Sequence, residues 1–154
     1  MKSKVVGDLS PLEYDPNFFE SAPYPIPYFD NKELKIGFVE ATYEPYLLAA
    51  DRVLQNFLNL SVQDRLNDSQ LVFHYYNEVL KHGYTKPLDL NVITDIWNFV
   101  YPGEIMVLWG KDEDYYLCVT CDCEWEEEHG LQLVFKDGKK LTRASGHDGG
   151  LTDE

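Results

Sequence analysis

The stretch YYLCVTCDCEWEEEHGLQLVFKDGKKL, residues 115–141, decides the fold. Side chains alternate between the two faces of a β-strand, and the first part of this stretch follows that period. One face would hold an apolar set: Tyr115, Leu117, Val119, Cys121, Cys123 and Trp125. The opposite face would hold Tyr116, Cys118, Thr120, Asp122 and Glu124. We therefore expect a strand that turns the first set towards a core.

The second half of the stretch predicts the partner strand and its turns. The inward face continues in three apolar residues, Leu131, Leu133 and Phe135. Asp137-Gly138 is the pair that a two-residue type I′ hairpin turn requires. Residues 126–130 would form the tip of the hairpin, where glycine supplies the turn and charge keeps the tip solvated. The C-terminal third is thus predicted to be an antiparallel meander.

Upstream, the apolar period changes to that of helices. Residues 44–59 place their apolar side chains on one stripe, and residues 69–83 repeat the pattern up to Gly83, a typical helix stop. A shorter helix fits residues 92–100, with Asn91 as its N-cap. Three helices are therefore predicted in the middle of the chain.

Two further strand regions flank the helices. Residues 24–29 and 34–39 predict a hairpin whose first strand is an edge, because Pro25 and Pro27 cannot donate to a hydrogen-bond ladder. After the helices, the continuous apolar run at residues 105–109 is typical of a strand that is covered on both faces.

The order strands, helices, strands predicts an α+β fold. An N-terminal hairpin and a C-terminal meander would form an antiparallel β-sheet, with about three α-helices packed on one face. At 154 residues the chain has the length of one domain. Residues 1–22 mix scattered apolar residues with turn residues, so we expect a loosely ordered lead-in there and a single domain over residues 23–154.

Charge restricts the expected partners. The chain has 13 Lys and Arg against 27 Asp and Glu, a formal net charge of −14. Residues 1–100 contribute −6 and residues 101–154 contribute −8, so the charge is densest towards the C-terminus. Nucleic acid and anionic membranes bind positive surfaces, which excludes both and favours a cationic protein. The alternative is that acidity serves solubility alone.

Cysteine usage and hydropathy indicate a cytoplasmic location. Cys118, Cys121 and Cys123 lie too close together for a disulfide framework, so we expect reduced thiols. The sequence has no signal-peptide pattern at its start and no apolar run of about 18 residues that would span a membrane.

Cys121, Cys123 and His129 are the candidate metal ligands, because zinc prefers thiolate and imidazole donors. Strand alternation turns both thiols to the apolar face, where free cysteine packs as a small hydrophobe. Neighbouring carboxylates would raise the pKa of a thiol, which disfavours a cysteine nucleophile. We expect no metal, no cofactor and no enzymatic activity; the alternative is a metal-binding or regulatory module that uses these three residues.

The acids at the hairpin tip, Glu126, Glu127 and Glu128, have two interpretations. They lack the D-x-D-x-D-G order of a calcium-binding loop. A solvated loop that discourages aggregation at the sheet edge is the simpler interpretation. A docking surface for a basic partner is the functional one.

The segment CEWEEEHGLQLVFKDGKKL, residues 123–141, followed by DGGLT, residues 148–152, resembles the C-terminal signature of a family of small, acidic, uncharacterised bacterial domains. That signature joins an acid-rich Cys-x-Trp segment, Glu-His-Gly-Leu, a strand, an Asp-Gly turn and a terminal Asp-Gly-x-Leu-Thr. The matching positions include Trp125, Glu128, His129 and Gly130. Similar small acidic proteins accompany toxin genes in bacterial competition loci, so the resemblance implies an immunity protein.

The leading hypothesis is therefore a non-enzymatic immunity protein that neutralises a cationic toxin, such as a nuclease effector. A nuclease must be basic where it holds phosphate, so an acidic inhibitor competes for that surface. We expect the acids to gather along one rim, with Trp125 or an exposed tyrosine such as Tyr116 as the aromatic anchor. The predicted contact set is Asp112, Glu113, Asp114, Tyr116, Glu124, Trp125, Glu126, Glu127 and Glu128.

Overall fold

A computed structural model describes residues 1–152, which form a mixed α+β fold around one nine-stranded sheet. The strands are β1 (Lys2–Ser3), β2 (Gly7–Leu12), β3 (Asp15–Ser21), β4 (Tyr24–Ile26), β5 (Lys32–Phe38), β6 (Val100–Trp109), β7 (Tyr115–Cys123), β8 (Leu131–Lys136) and β9 (Lys140–Ser145). The α-helices are α1 (Glu44–Leu58), α2 (Val62–Asn67) and α3 (Ser69–Lys81). Two 3₁₀ helices span Pro27–Phe29 and Ile93–Phe99. The predicted α+β class is confirmed.

The sheet is mostly antiparallel. Its order is β1-β2-β3-β5-β6-β7-β8-β9, and β4 pairs with β5 beside this path. The exception is the central pair β5 and β6, which run parallel. All three α-helices lie between these two strands in sequence, and such a crossover returns the chain to the end of the sheet from which it left. The predicted hairpin and meander are thereby joined in one sheet.

The expectation of a loosely ordered lead-in over residues 1–22 is wrong. These residues contribute β1, β2 and β3, and Phe19 of β3 pairs with Phe38 of β5. Asp51 of α1, a buried carboxylate, accepts hydrogen bonds from the Ser3 hydroxyl and from the Lys4 amide. Only one residue of each of β2 and β3 is buried, Leu9 and Ser21, so these strands carry no apolar alternation that a sequence pattern would detect.

The two long predicted helices are present, and a short one was missed. α1 and α3 match the predictions for residues 44–59 and 69–83 within two residues at each end. Between them, α2 begins at a reciprocal cap: the Ser61 amide donates to Asp64 Oδ2 at 2.8 Å, and the Asp64 amide donates to Ser61 Oγ at 3.4 Å. α2 has no buried residues, and therefore shows no apolar stripe in the sequence.

The third predicted helix is a 3₁₀ helix rather than an α-helix. Its N-terminal amides are bound by Asp95, which accepts from the amides of Asn91 at 3.0 Å and Val92 at 3.3 Å. The expected role of Asn91 as a side-chain cap is therefore wrong. The carboxylate inside the first turn satisfies these donors instead.

The main core lies between the helices and one face of the sheet. The predicted inward residues of β7 and β8 are buried there, apart from the half-buried Tyr115, and the rings of Tyr28 and Phe57 join them. The ring centroids of Phe57 and Phe135 are 4.9 Å apart, and those of Tyr28 and Phe135 are 5.2 Å apart. The type I′ geometry of the β8–β9 turn is confirmed by φ values of 54° at Asp137 and 72° at Gly138.

The opposite face of the sheet is covered only in part, by residues 146–152, which we call the strap. Leu151 packs on a small second cluster of Tyr116, Cys118 and Val134. The Gln132 amide holds the strap, because its Nε2 donates to the Gly150 carbonyl at 2.6 Å and its Oε1 accepts from the Gly149 amide at 3.2 Å.

The apolar run at residues 105–109 predicted a strand that is covered on both faces, but the structure does not cover it completely. Ile105 and Val107 are fully buried in the main core, but Trp109 is 52% exposed. Trp109 lies on the same face as these two residues, at the end of the strand, while Met106 and Leu108 on the strap side are half-buried. Among the described residues, no helix is sufficiently long and apolar to traverse a lipid bilayer.

Candidate functional site

Two acid-rich turns lie at opposite ends of β7. Residues 110–114, the 110–114 turn, join β6 to β7, and residues 124–130, the 124–130 turn, join β7 to β8. β7 has nine residues, so the two turns are roughly 30 Å apart. The expectation that the acids gather along one rim is therefore wrong. Only the part of the predicted contact set that lies in the 124–130 turn forms a continuous surface.

Trp125 anchors the 124–130 turn to the core. Its side chain is 1% exposed, and its ring contacts Tyr75 and Tyr76 edge-to-face with centroid distances of 5.9 and 5.8 Å. Trp125 is thus a core residue, and its predicted role as an exposed partner anchor is wrong. The alternation along β7 continues through Trp125, and this continuation places the indole on the core face.

Gly130 closes the turn against β7. Its φ is +61°, and a Cβ there would lie 2.5 Å from the Cys121 carbonyl oxygen. The Tyr75 hydroxyl donates to the Gly130 carbonyl at 2.8 Å. The backbone is therefore held from both sides at a position that only glycine fits.

Glu126 differs from its acidic neighbours because its carboxylate organises the turn. Its Oε1 accepts from the amides of Glu128 at 3.1 Å and His129 at 3.3 Å, and lies 3.4 Å from His129 Nδ1. The Glu126 side chain is 19% exposed, against 63% for His129. Glu126 is therefore a structural member of the predicted contact set, since its oxygens point back to the backbone.

Three other carboxylates of the turn, those of Glu124, Glu127 and Glu128, are exposed. Glu124 accepts a hydrogen bond of 2.6 Å from the Tyr101 hydroxyl on β6. The Lys and Arg ion pairs within residues 1–152 fall on other carboxylates: Glu20, Asp114, Asp137 and Asp148. The turn therefore presents concentrated negative charge to solvent.

Two clefts flank the 124–130 turn and share Glu127, Glu128 and His129 as their common wall. The first, of about 390 Å³, adds Glu104, Asp122 and His147. The second, of about 560 Å³, adds Tyr84, Thr85 and Trp125. Burial, followed by the nearby charge of Glu20, raises the pKa of Glu104. Both clefts are thus suited to cationic groups, because carboxylates form most of the charged wall.

The 110–114 turn is organised differently. Asp112 Oδ2 accepts a 2.5 Å hydrogen bond from the Tyr116 hydroxyl, and Asp114 lies 3.3 Å from Lys136 Nζ. Tyr116 is 3% exposed, so its predicted role as an exposed anchor is wrong. The hydrogen bond to Asp112 raises the pKa of Tyr116 to about 12. Two of the three acids in this turn are therefore engaged within the chain.

The candidate metal ligands do not converge. Cys121 and Cys123 are buried, whereas His129 is exposed. Burial raises the pKa of Cys121 well above its usual range and that of Cys123 to about 12, so both thiols stay protonated. Within residues 1–152 no group of three or more His, Cys, Asp or Glu side chains has a metal-binding arrangement.

Sequence reasoning missed two residues that the sheet register brings to this region: Tyr101, whose hydroxyl binds Glu124, and Glu104, which lines the first cleft. Tyr101 pairs with Asp122 and Glu104 pairs with Thr120, with a bulge between Pro102 and Glu104. The bulge turns the Glu104 side chain to the face of the first cleft. Gly103 next to Pro102 is a signal for such a bulge, but its partner strand is not evident from the sequence.

Comparison with known proteins identifies the family. The sequence model of the family described as domain of unknown function DUF6985 matches residues 8–151. The chain therefore belongs to this family. No curated protein and no solved structure matches it.

Proposed function

We propose that this member of the DUF6985 family is a non-enzymatic cytoplasmic immunity protein that binds and neutralises a cationic bacterial toxin, such as a nuclease effector. The 124–130 turn and its two clefts would form the binding surface. One observation carries the proposal: Glu124, Glu127 and Glu128 are exposed on a turn that buried Trp125 ties to the core.

The rigidity of the turn favours binding. Trp125 and Gly130 are locked by packing, and the Glu126 carboxylate binds two amides of the turn. A surface that is already ordered loses little conformational entropy when a partner docks. The exposed carboxylates are therefore presented in a geometry that a fixed array of basic side chains can match.

The charge of the whole chain favours fast capture. The net charge of −14 attracts a basic protein over a distance, and complementary charge raises association rate constants to about 10⁸–10⁹ M⁻¹s⁻¹ at low salt. A toxin inhibitor must act before its target does damage. Electrostatic steering supplies that speed without an enzymatic step.

A nuclease effector suits this surface because its own substrate is a polyanion. Basic residues that hold phosphate in the toxin would meet the carboxylates of the 124–130 turn instead. The clefts on either side have volumes of about 390 and 560 Å³, so each accommodates lysine or arginine side chains beside the turn. Inhibition would then result from occupation of the substrate site.

The test compares two triple variants with the same change in charge. Glu124→Gln/Glu127→Gln/Glu128→Gln removes three charges from the 124–130 turn, and Asp112→Asn/Glu113→Gln/Asp114→Asn removes three from the 110–114 turn. Tagged wild-type protein first recovers its partner from the native host. Association rates of that partner are then measured at several salt concentrations.

We expect the first variant to bind at least about tenfold more weakly, because it loses contacts as well as steering. The second should lose only the share of steering that net charge explains, about two- to threefold in rate at low salt. Equal effects of the two variants would contradict the assignment of the surface. An association rate that does not respond to salt would contradict steering.

A further inference from the structure

A small cleft on the helix-covered side of the sheet is lined by two cationic side chains and by no carboxylate of the described chain. Its volume is about 160 Å³, and its walls are Phe29, Lys32, Arg65, Trp97, Val100 and Pro102. Two of the 13 cationic side chains of an acidic chain thus meet at one apolar cleft. We call it the cationic cleft.

Arg65 of α2 is fixed in this cleft by Trp97. Its guanidinium carbon lies 5.4 Å from the centroid of the Trp97 ring, in cation–π contact. The ring itself is held because Trp97 Nε1 donates to Ser69 Oγ at 2.9 Å. The plane of the guanidinium group is therefore set before any ligand arrives.

The hydrogen-bonding capacity of Arg65 is not used up. Its Nε is buried and has no hydrogen-bond partner in the structure. Within residues 1–152, neither Arg65 nor Lys32 forms an ion pair with a carboxylate. A buried donor without an acceptor is costly, and such a group calls for a partner. The two side chains of the cleft without an acidic partner, Arg65 and Lys32, are both cationic, so the complementary ligand is an anion with oxygen acceptors.

We propose that the cationic cleft binds the carboxylate of a small organic acid or of a peptide C-terminus. A carboxylate matches the planar fork of a guanidinium group through two parallel hydrogen bonds, and Lys32 would supply the second positive charge. The proposal is independent of the immunity function, because this site takes an anion and uses other residues.

A carboxylate fits better than a phosphate for two reasons. The net charge of −14 penalises a dianion more than a monoanion. The remaining walls, Phe29, Trp97, Val100 and Pro102, are apolar or aromatic and suit the carbon atoms next to a carboxylate. The volume of about 160 Å³ admits the carboxylate and only a few such atoms.

The test titrates the full chain with four probes at constant ionic strength and pH: acetate, N-acetylalanine, N-acetylalanine amide and inorganic phosphate. Nuclear magnetic resonance follows the Arg65 Nε–H and the Trp97 indole N–H signals. We expect saturable shifts of both signals with acetate and N-acetylalanine and none with the amide. Tighter binding of N-acetylalanine than of acetate would indicate a peptide terminus as the source of the carboxylate.

Three variants complete the test. Arg65→Lys keeps the charge but loses the fork, and Lys32→Gln removes an exposed charge without disturbing the core. Both should weaken acetate binding about tenfold, the equivalent of one charge-assisted hydrogen bond. Arg52→Gln, which alters an exposed arginine 3.8 Å from Asp137, is the control and should leave binding within about twofold.

Several results would overturn the proposal. Three results would each show that Arg65 only packs on Trp97: signal shifts spread over the whole surface, an equal response to N-acetylalanine amide, or acetate binding that Lys32→Gln leaves unchanged. Tighter binding of phosphate than of either carboxylate would refute the ligand class.

Discussion

The two turns at the ends of β7 have similar composition but are held in place by different interactions. Each is acid-rich and each adjoins one tryptophan, but Trp109 beside the 110–114 turn is 52% exposed and Trp125 within the 124–130 turn is 1% exposed. The 110–114 turn is held by polar contacts, the Asp112–Tyr116 hydrogen bond and the Asp114–Lys136 ion pair. The 124–130 turn is held by a buried ring, a glycine and the inward-pointing carboxylate of Glu126.

This difference shows how a charged loop becomes a defined surface. Where the core and one inward carboxylate, that of Glu126, hold the backbone, the remaining acids can stay exposed, as at Glu127 and Glu128. Where charged side chains hold the turn, their carboxylates are engaged in intramolecular contacts, as at Asp112 and Asp114. Acid density alone does not distinguish the two cases.

The sharpest test of this comparison removes the two tryptophans one at a time. Trp125→Ala should lower the free energy of unfolding by about 4 kcal/mol, because it leaves a cavity between Tyr75, Tyr76 and the sheet. Trp109→Ala should cost about 1 kcal/mol, since it loses mainly the stacking on Tyr115 at 5.7 Å. Urea unfolding monitored by circular dichroism measures both values.

Trp125→Phe provides the control for volume. The Trp125 Nε1 is buried without a hydrogen-bond partner, so this change forfeits no hydrogen bond. We expect a cost of about 1.5 kcal/mol from lost packing alone. Equal costs for Trp109→Ala and Trp125→Ala would break the comparison between the two turns.

A second test concerns the glycine that closes the 124–130 turn. Gly130→Ala should cost about 3 kcal/mol, because it combines a positive φ with a Cβ 2.5 Å from the Cys121 carbonyl oxygen. Gly83→Ala is the matched control, since φ there is +75° and no atom lies within 4 Å of the new Cβ. It should cost about 1 kcal/mol. Equal losses in thermal unfolding would show that backbone conformation, not the close approach, matters at Gly130.

A smaller effect is expected in the strap, at Asp148. Its carboxylate accepts two hydrogen bonds of 2.8 Å from the Arg143 guanidinium group, which lowers the pKa of Asp148 to about 2. A lowered pKa in the folded state stabilises the fold above the unfolded value of 3.8, and this stability is lost as the pH falls towards 2.

Asp148→Asn should therefore destabilise the protein near neutral pH and make little difference below pH 2. The Asp148 side chain is 54% exposed, so screening reduces the loss to less than about 1 kcal/mol. Urea unfolding across the acid range measures the difference. A loss that is independent of pH would mean that the charge of Asp148 is irrelevant to the strap.

The smallest effect lies in the two tyrosine–carboxylate pairs, one at each turn. The hydrogen bond to Asp112 raises the pKa of Tyr116 to about 12, and the bond to Glu124 raises that of Tyr101. A raised phenol pKa favours the fold below the ordinary value of 10.0, and this contribution is lost as the pH rises through the folded pKa.

Phenolate absorbance during an alkaline titration measures these shifts. Asp112→Asn should lower the Tyr116 pKa and leave it above 10.0, because burial also raises it. Glu124→Gln should bring Tyr101 closer to its ordinary value, since its hydrogen bond is the main cause. No change in either variant would indicate that the two bonds do not persist in solution.

Much of the fold was predictable where one face of an element is buried. The alternation over β7 and β8 assigned Leu117, Val119, Leu131 and Leu133 to the core, and the structure confirms this. The helical stripe of α1 was equally clear. Where burial is slight, as in β2 and α2, no period exists and both elements were missed.

The candidate site was less predictable. Sequence reasoning selected the acids of the 124–130 turn, but it also took Trp125 and Tyr116 as exposed anchors, and both are buried. Trp125 stands between Glu124 and Glu126, yet the main core takes up its ring, and the second cluster on the other face of the sheet takes up the ring of Tyr116. Burial of a ring depends on what packs against it from distant segments, which local composition does not reveal.

The sequence by itself determined the α+β class, the two long helices, the faces of the C-terminal strands and the negative charge, because these follow from local periods and from counting. Only the tertiary structure decided that β5 and β6 run parallel, that the acids divide between opposite ends of β7, and that Arg65 meets Lys32 beside Trp97. The physical reason is the separation in sequence between the residues that interact. A period of two or 3.6 residues is set by residues that are close together in sequence. Strand register, the crossover and the walls of a cleft depend instead on packing between segments far apart in the chain.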